Sequence, residues 1–223
     1  MAVPAPKELA LAREGDLLMR LRTPLRLTVF LLALVTACSP GTAGASEAER
    51  IAEVLELSPG MVVADVGAGD GEWSAEIARR VGDDGRVWAT EVDADDLAAI
   101  RERVEREGLG NVSVVRGDET HNGLPDACCD AILLRLVYHH FTDPPRMRAE
   151  LRRALRPGGR LVVVDIEPQT RWRTLKGVPD RGGHGIHPQD LIRELTSDGF
   201  EVIRRVDRWN GDEDRYCVVF QRP

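Results

Sequence analysis

The residues best placed to do chemistry form a glycine loop behind a short apolar run. Met61 to Val66 reads Met-Val-Val-Ala-Asp-Val and leads into Gly67-Ala68-Gly69-Asp70-Gly71. Glycine at such a turn lets the backbone reverse tightly and approach a ligand with no Cβ in the way. The spacing is G-x-G-x-G, not the G-x-G-x-x-G of a dinucleotide loop. Asp65 sits two residues ahead of the first glycine. A carboxylate there repels a pyrophosphate and favours a ligand carrying positive charge.

A second group lies in Leu136-Val137-Tyr138-His139-His140-Phe141. Imidazole titrates near neutral pH, so Tyr138, His139 and His140 are the candidate general bases. Downstream, Arg171-Trp172-Arg173 could hold an anionic or planar molecule. Gly182-Gly183-His184-Gly185-Ile186-His187 is glycine-rich and reads as a mobile lid. His184 and His187, three apart with Asp190 nearby, suggest a metal, but no Cys pair or third His supports it, so no metal is expected. Cys128, Cys129 and Cys217 read as buried thiols.

The elements that must position these groups alternate. Ser46 and Glu49 form a capping box, which opens a helix running to about Leu57. Apolar runs at 61–66, 86–92, 111–116, 130–136 and 160–166 read as buried strands. Helical patterns occupy 72–81, 95–107, 144–155 and 188–197, and two last strands follow at 200–206 and 215–221. Alternation implies right-handed crossovers and a parallel sheet covered on both faces. The short Asn210-Gly211-Asp212 connection allows only an antiparallel final pair. The fold class is therefore α/β: a doubly wound, seven-stranded, mostly parallel sheet whose last strand runs backwards. Ligands in such sheets bind beyond the strands' carboxyl ends, at the topological switch point.

The stretch Val-Val-Ala-Asp-Val-Gly-Ala-Gly-Asp-Gly closely resembles the first motif of class I S-adenosylmethionine-dependent methyltransferases. Ala154-Leu155-Arg156-Pro157-Gly158-Gly159-Arg160-Leu161 resembles that family's turn from helix to fifth strand. The likeness runs over about residues 46–223. It implies S-adenosylmethionine as cofactor, with Asp65, Gly67, Gly69 and Gly71 around it. It also implies Glu91 on the ribose hydroxyls, with Asp93 the competitor, since one carboxylate suits a vicinal diol. Asp118, or less directly Glu119, would accept from the adenine amino group. Arg135 and Leu136 would border the methionine portion. The implied activity is methyl transfer. A second reading keeps the fold as a lipid-anchored ligand-binding protein without turnover.

The 223 residues are 43 % hydrophobic and 30 % charged, a globular composition. Net charge is −7, which argues against a nucleic-acid binder held by phosphate contacts. No substrate domain is inserted between strands, which favours a small-molecule acceptor. Ahead of the globular part, Arg20, Arg22 and Arg26 precede Thr-Val-Phe-Leu-Leu-Ala-Leu-Val-Thr-Ala and then Cys38. The apolar run falls short of the roughly 20 residues needed to span a bilayer. Basic, apolar, then small is the order of a secretory signal. Val35-Thr36-Ala37-Cys38 resembles a bacterial lipobox, which makes Cys38 the lipidated residue. The expected organisation is a signal peptide over 1–37, with Met19 the natural start, a flexible tether over 38–46, and the methyltransferase domain over 47–223. That address is an exported, membrane-anchored lipoprotein. The cofactor is made in the cytoplasm, which makes a cytoplasmic location the alternative.

Overall fold

The computed structural model describes residues 45–173 and 175–223. The signal segment, Met19 and Cys38 lie outside the described residues.

Helix α1 spans Glu47–Leu55, and the capping box forms as expected. The Glu49 carboxylate accepts from Ser46 N at 2.7 Å, while Glu49 N donates to the Ser46 hydroxyl at 3.3 Å. There follow β1 (Val62–Val66), α2 (Glu72–Val81), β2 (Arg86–Glu91), α3 (Ala94–Glu107), β3 (Val112–Arg116) and β4 (Cys129–Arg135). Residues 117–128 join β3 to β4 with no helix. The chain continues through α4 (Pro144–Ala154), β5 (Leu155–Ile166), α5 (Pro188–Ser197), β6 (Glu201–Asp207) and β7 (Arg215–Gln221).

The seven strands order as β3-β2-β1-β4-β5-β7-β6. The β1–β2, β1–β4, β2–β3 and β4–β5 pairs are parallel. Strand β7 runs antiparallel to both β5 and β6, as expected for the reversed last strand. The winding direction changes between β1 and β4, so the switch point lies at their carboxyl ends.

Alternate residues of the central strands feed opposite faces. Ile132, Leu134, Leu161, Val163 and Phe220 pack with Leu151 and Leu191, all fully buried. Ala131, Leu133, Val162, Val164 and Val219 pack on the other side with Ile51, Leu55 and Ile77. Burial on both faces explains the near-continuous apolar runs. Each large aliphatic side chain so buried contributes about 1.5–3 kcal/mol.

Strand β5 begins at Leu155, five residues earlier than the sequence suggests. Leu155 leaves α4 in extended conformation and pairs at once with Cys129, and the register shifts before Ala131 pairs with Arg160. Pro157 and its glycines end the helix as expected but are absorbed as an irregularity within the strand. Cys128 and Cys129, expected as thiols, are joined in a vicinal disulfide, while Cys217 is a buried free thiol.

The segment expected as a lid is stitched down. Gln169 and His184 form a bridge, and Ile186 N donates to Ile166 O at 2.9 Å. Ile186 is fully buried, and its carbonyl accepts from the Tyr216 hydroxyl at 2.8 Å. A Cβ at Gly185, φ +130°, would stand 2.7 Å from two carbonyl oxygens of the neighbouring strand end. Glycine is what allows this close approach.

Candidate functional site

The carboxyl ends of β1, β2 and β4 enclose a cavity of about 300 Å³. Its walls include Gly67, Glu91, Asp118, Leu136, His140 and Phe141. Gly67 N and Ala68 N both donate to Thr90 O at 3.0 Å, which ties the loop after β1 to β2. Gly67 has φ +75°, and a Cβ there would lie 2.4 Å from the Val137 side chain. The loop is therefore clasped between β2 and the segment after β4, with its backbone forming part of the cavity wall.

Glu91 ends β2 with its carboxylate held in place. Its Oε2 accepts from Gly69 N at 3.0 Å and its Oε1 from Val92 N at 2.7 Å. Each carboxylate oxygen can accept more than one bond, so this fixed group still suits a diol. Asp118 Oδ1 accepts from Thr120 N at 2.7 Å and His121 N at 2.8 Å. The hydrogen bonds from Thr120, then His121, hold its pKa down at about 2, so it is ionised under all ordinary conditions.

Asp65 lies beneath the loop, not in the cavity wall. It is 2 % exposed and accepts from the Ser74 hydroxyl at 2.6 Å. Burial pushes its pKa up to about 6, against the Ser74 bond that lowers it and with a smaller upward push from Glu91. Gly69 supports Glu91, and Gly71 is the N-cap of α2. Arg135 is elsewhere. It faces α1, where it pairs with Glu47 at 3.0 Å and stacks 4.7 Å over the Trp73 ring. Its parity in β4, which it shares with Ala131 and Leu133, puts it on the α1 side.

The candidate bases separate in the same way. Tyr138 is fully buried, and its hydroxyl donates to Glu194 Oε2 at 2.7 Å. Burial first, then the Glu194 charge, drives its pKa upward, away from any use as a base. Glu194 also binds Arg148 and Arg181, so Tyr138 belongs to a structural network. His139 is buried against Asp165, with Nδ1 2.5 Å from Oδ1. His140 lines the cavity beside Glu91 and also the cavities on its far side. Burial, then the neighbouring His139 and His184, lowers its pKa to about 4, so it is neutral at physiological pH.

On the far side of His140 lies a cavity of about 350 Å³ that Gln169, Arg171, Trp172 and His184 help to line. The Trp172 ring stacks on His184 with centroids 5.8 Å apart and planes at 21°. Two participants were not legible as site residues: Asp165, a lone acid ending an apolar strand, and His184, which local patterning assigned to a lid.

Residues 64–163 match the family described as a methyltransferase domain. The chain is 34 % identical over 119 residues to the ubiquinone/menaquinone biosynthesis C-methyltransferase UbiE of Teredinibacter turnerae, covering 52 % of this chain and 48 % of that protein. It is 37 % identical over 125 residues to Methyltransferase GfsG of Streptomyces halstedii, covering 56 % and 44 %. The chain thus spans about half the length of these two curated relatives. Among solved structures, a SAM dependent methyltransferase from Aquifex aeolicus superposes with a TM-score of 0.65 at 26 % identity, covering 78 % of this chain and 88 % of that one.

Fold, switch-point cavity and glycine loop are together similar to those of class I methyltransferase domains. The cofactor this likeness indicates is S-adenosylmethionine, and the residues present fit that group: a glycine turn at Gly67, a fixed carboxylate for a diol, and an ionised Asp118 in the cavity wall.

Proposed function

We propose that the chain catalyses methyl transfer from S-adenosylmethionine to a small planar or anionic acceptor held over the carboxyl ends of β4 and β5. The cofactor, when bound, supplies an electrophilic methyl carbon on a sulfonium. Glu91 and the glycine loop fix its position, and alignment of the reacting atoms supplies most of the rate. The observation that carries the reading is His140, which is wall to both the cofactor cavity and the cavity containing Trp172. An acceptor stacked on Trp172 and held by Arg171 would be separated from the cofactor cavity by the His140 side chain. The likeness to enzymes named for quinone biosynthesis supports an aromatic acceptor.

The test is release of S-adenosylhomocysteine from full-length protein offered phenolic, quinol and anionic aromatic acceptors. His140→Ala and Trp172→Ala are expected to cut turnover on the best acceptor by roughly 10²-fold or more, in line with loss of a positioned group, while cofactor affinity holds in Trp172→Ala. Unchanged turnover in both variants contradicts the placement.

We also propose that Cys38 is lipidated after cleavage and tethers the domain to a membrane. The order of Arg20, Arg22 and Arg26, apolar run and Cys38 supports this address.

A further inference from the structure

We propose that His139, His140 and His184 form a divalent transition-metal site at the boundary of the two cavities. Their ligand atoms all lie within 4.8 Å of one another. His184 Nε2 is 3.1 Å from His139 Nε2 and 3.4 Å from His140 Nε2. Metal–imidazole bonds of about 2.0–2.1 Å in tetrahedral geometry put ligand nitrogens roughly 3.3–3.4 Å apart. The two spacings from His184 are close to that arrangement, and the third lies within 4.8 Å.

Hydrogen bonding accounts for the cluster less well. Asp165 is fully buried, and its carboxylate accepts at His139 Nδ1. In neutral His139 the proton is then on Nδ1, and Nε2 presents its lone pair to the cluster. His184 Nε2 carries at most one proton, so it can donate to His139 or to His140 but not to both. A cation takes all three lone pairs at once. A buried carboxylate on the outer nitrogen of a ligand histidine is also the usual support of such a site.

Three neutral imidazoles favour zinc or its first-row neighbours over magnesium or calcium. His139 and His184 come from segments held by β5, one through Asp165 and the other through the Gln169–His184 bridge. Three protein ligands leave a fourth position, and the cavity lined by Trp172 and Arg171 adjoins it. Given the acceptor placement proposed above, on which this role depends, a hydroxyl, phenol or thiol of the acceptor is the ligand that position takes. Coordination lowers that group's pKa; its proton leaves to solvent and its conjugate base stays on the metal.

The test uses tag-free, full-length protein, stripped with a chelator and titrated with Co²⁺. One equivalent is expected to bind with the intense visible absorption of a tetrahedral site, and Zn²⁺ to displace it. His184→Ala and His140→Ala are expected to lose at least about 100-fold in Co²⁺ affinity, and Asp165→Asn about 10–100-fold. His184→Phe keeps a ring against Trp172 and is expected to show the same loss. Far-UV circular dichroism and the thermal unfolding midpoint of each variant report that it is folded. Absence of a one-equivalent site in wild type, or unchanged affinity in the His184 variants, overturns the proposal. Cofactor binding without metal binding defeats the metal site alone; metal binding without cofactor binding defeats the methyltransferase reading alone.

Discussion

His139 and Asp165 meet at 2.5 Å between imidazole Nδ1 and carboxylate Oδ1, both buried in the protein. The Asp165 carboxylate also accepts from Ile166 N at 2.8 Å and His139 N at 3.3 Å. One acid thus fixes the end of β5, the turn after β4 and the His139 ring together. Removing it strands a buried imidazole N–H, which costs about 1–3 kcal/mol. Asp165→Ala is expected to lose that much or more in urea denaturation, with Asp165→Asn recovering part of it. Wild-type stability in Asp165→Ala contradicts the role.

The pH dependence of stability is expected to carry a signature of Asp65. Its native pKa is raised to about 6 from an ordinary 3.8, with burial the largest cause. The native state therefore holds this proton more tightly than the unfolded chain. The resulting stabilisation is full below the unfolded pKa and is lost as pH rises through about 6. Asp65→Asn removes that slope. Relative to the variant, wild type is expected to lose on the order of 2–3 kcal/mol between pH 4 and pH 7. Paired urea titrations at the two pH values measure it, and a stability difference independent of pH contradicts it.

Much of the fold was legible because its signals are local. Buried parallel strands need apolar runs, and glycine or proline marks their ends. The Ser46–Glu49 capping box and α2 over Glu72–Val81 were read correctly for that reason. The early start of β5 was not, because Pro157 signals a break locally while the Leu155–Cys129 pairing is a long-range fact. Strand parity, a local signal, points Arg135 toward α1 with Leu133. His184 could not be placed from sequence. It lies over 40 residues from His140 in the chain, and Gly185's close approach to β5 brings it there.

The membrane address makes its own prediction. Full-length protein expressed in a bacterium with lipoprotein processing is expected to incorporate labelled fatty acid and shorten. Cys38→Ala is expected to abolish the label and leave the precursor. Labelling and size unaffected by the substitution contradict the lipobox reading.

The central claim is that the cavity between Gly67, Glu91 and Asp118 is a cofactor site. Isothermal titration of full-length protein with S-adenosylmethionine tests it most directly. Wild type is expected to bind one equivalent. Glu91→Ala is expected to bind about 1–3 kcal/mol more weakly, the loss typical of hydrogen bonds to a charged group. No heat of binding from wild type at millimolar cofactor, or equal affinity in Glu91→Ala, contradicts the account.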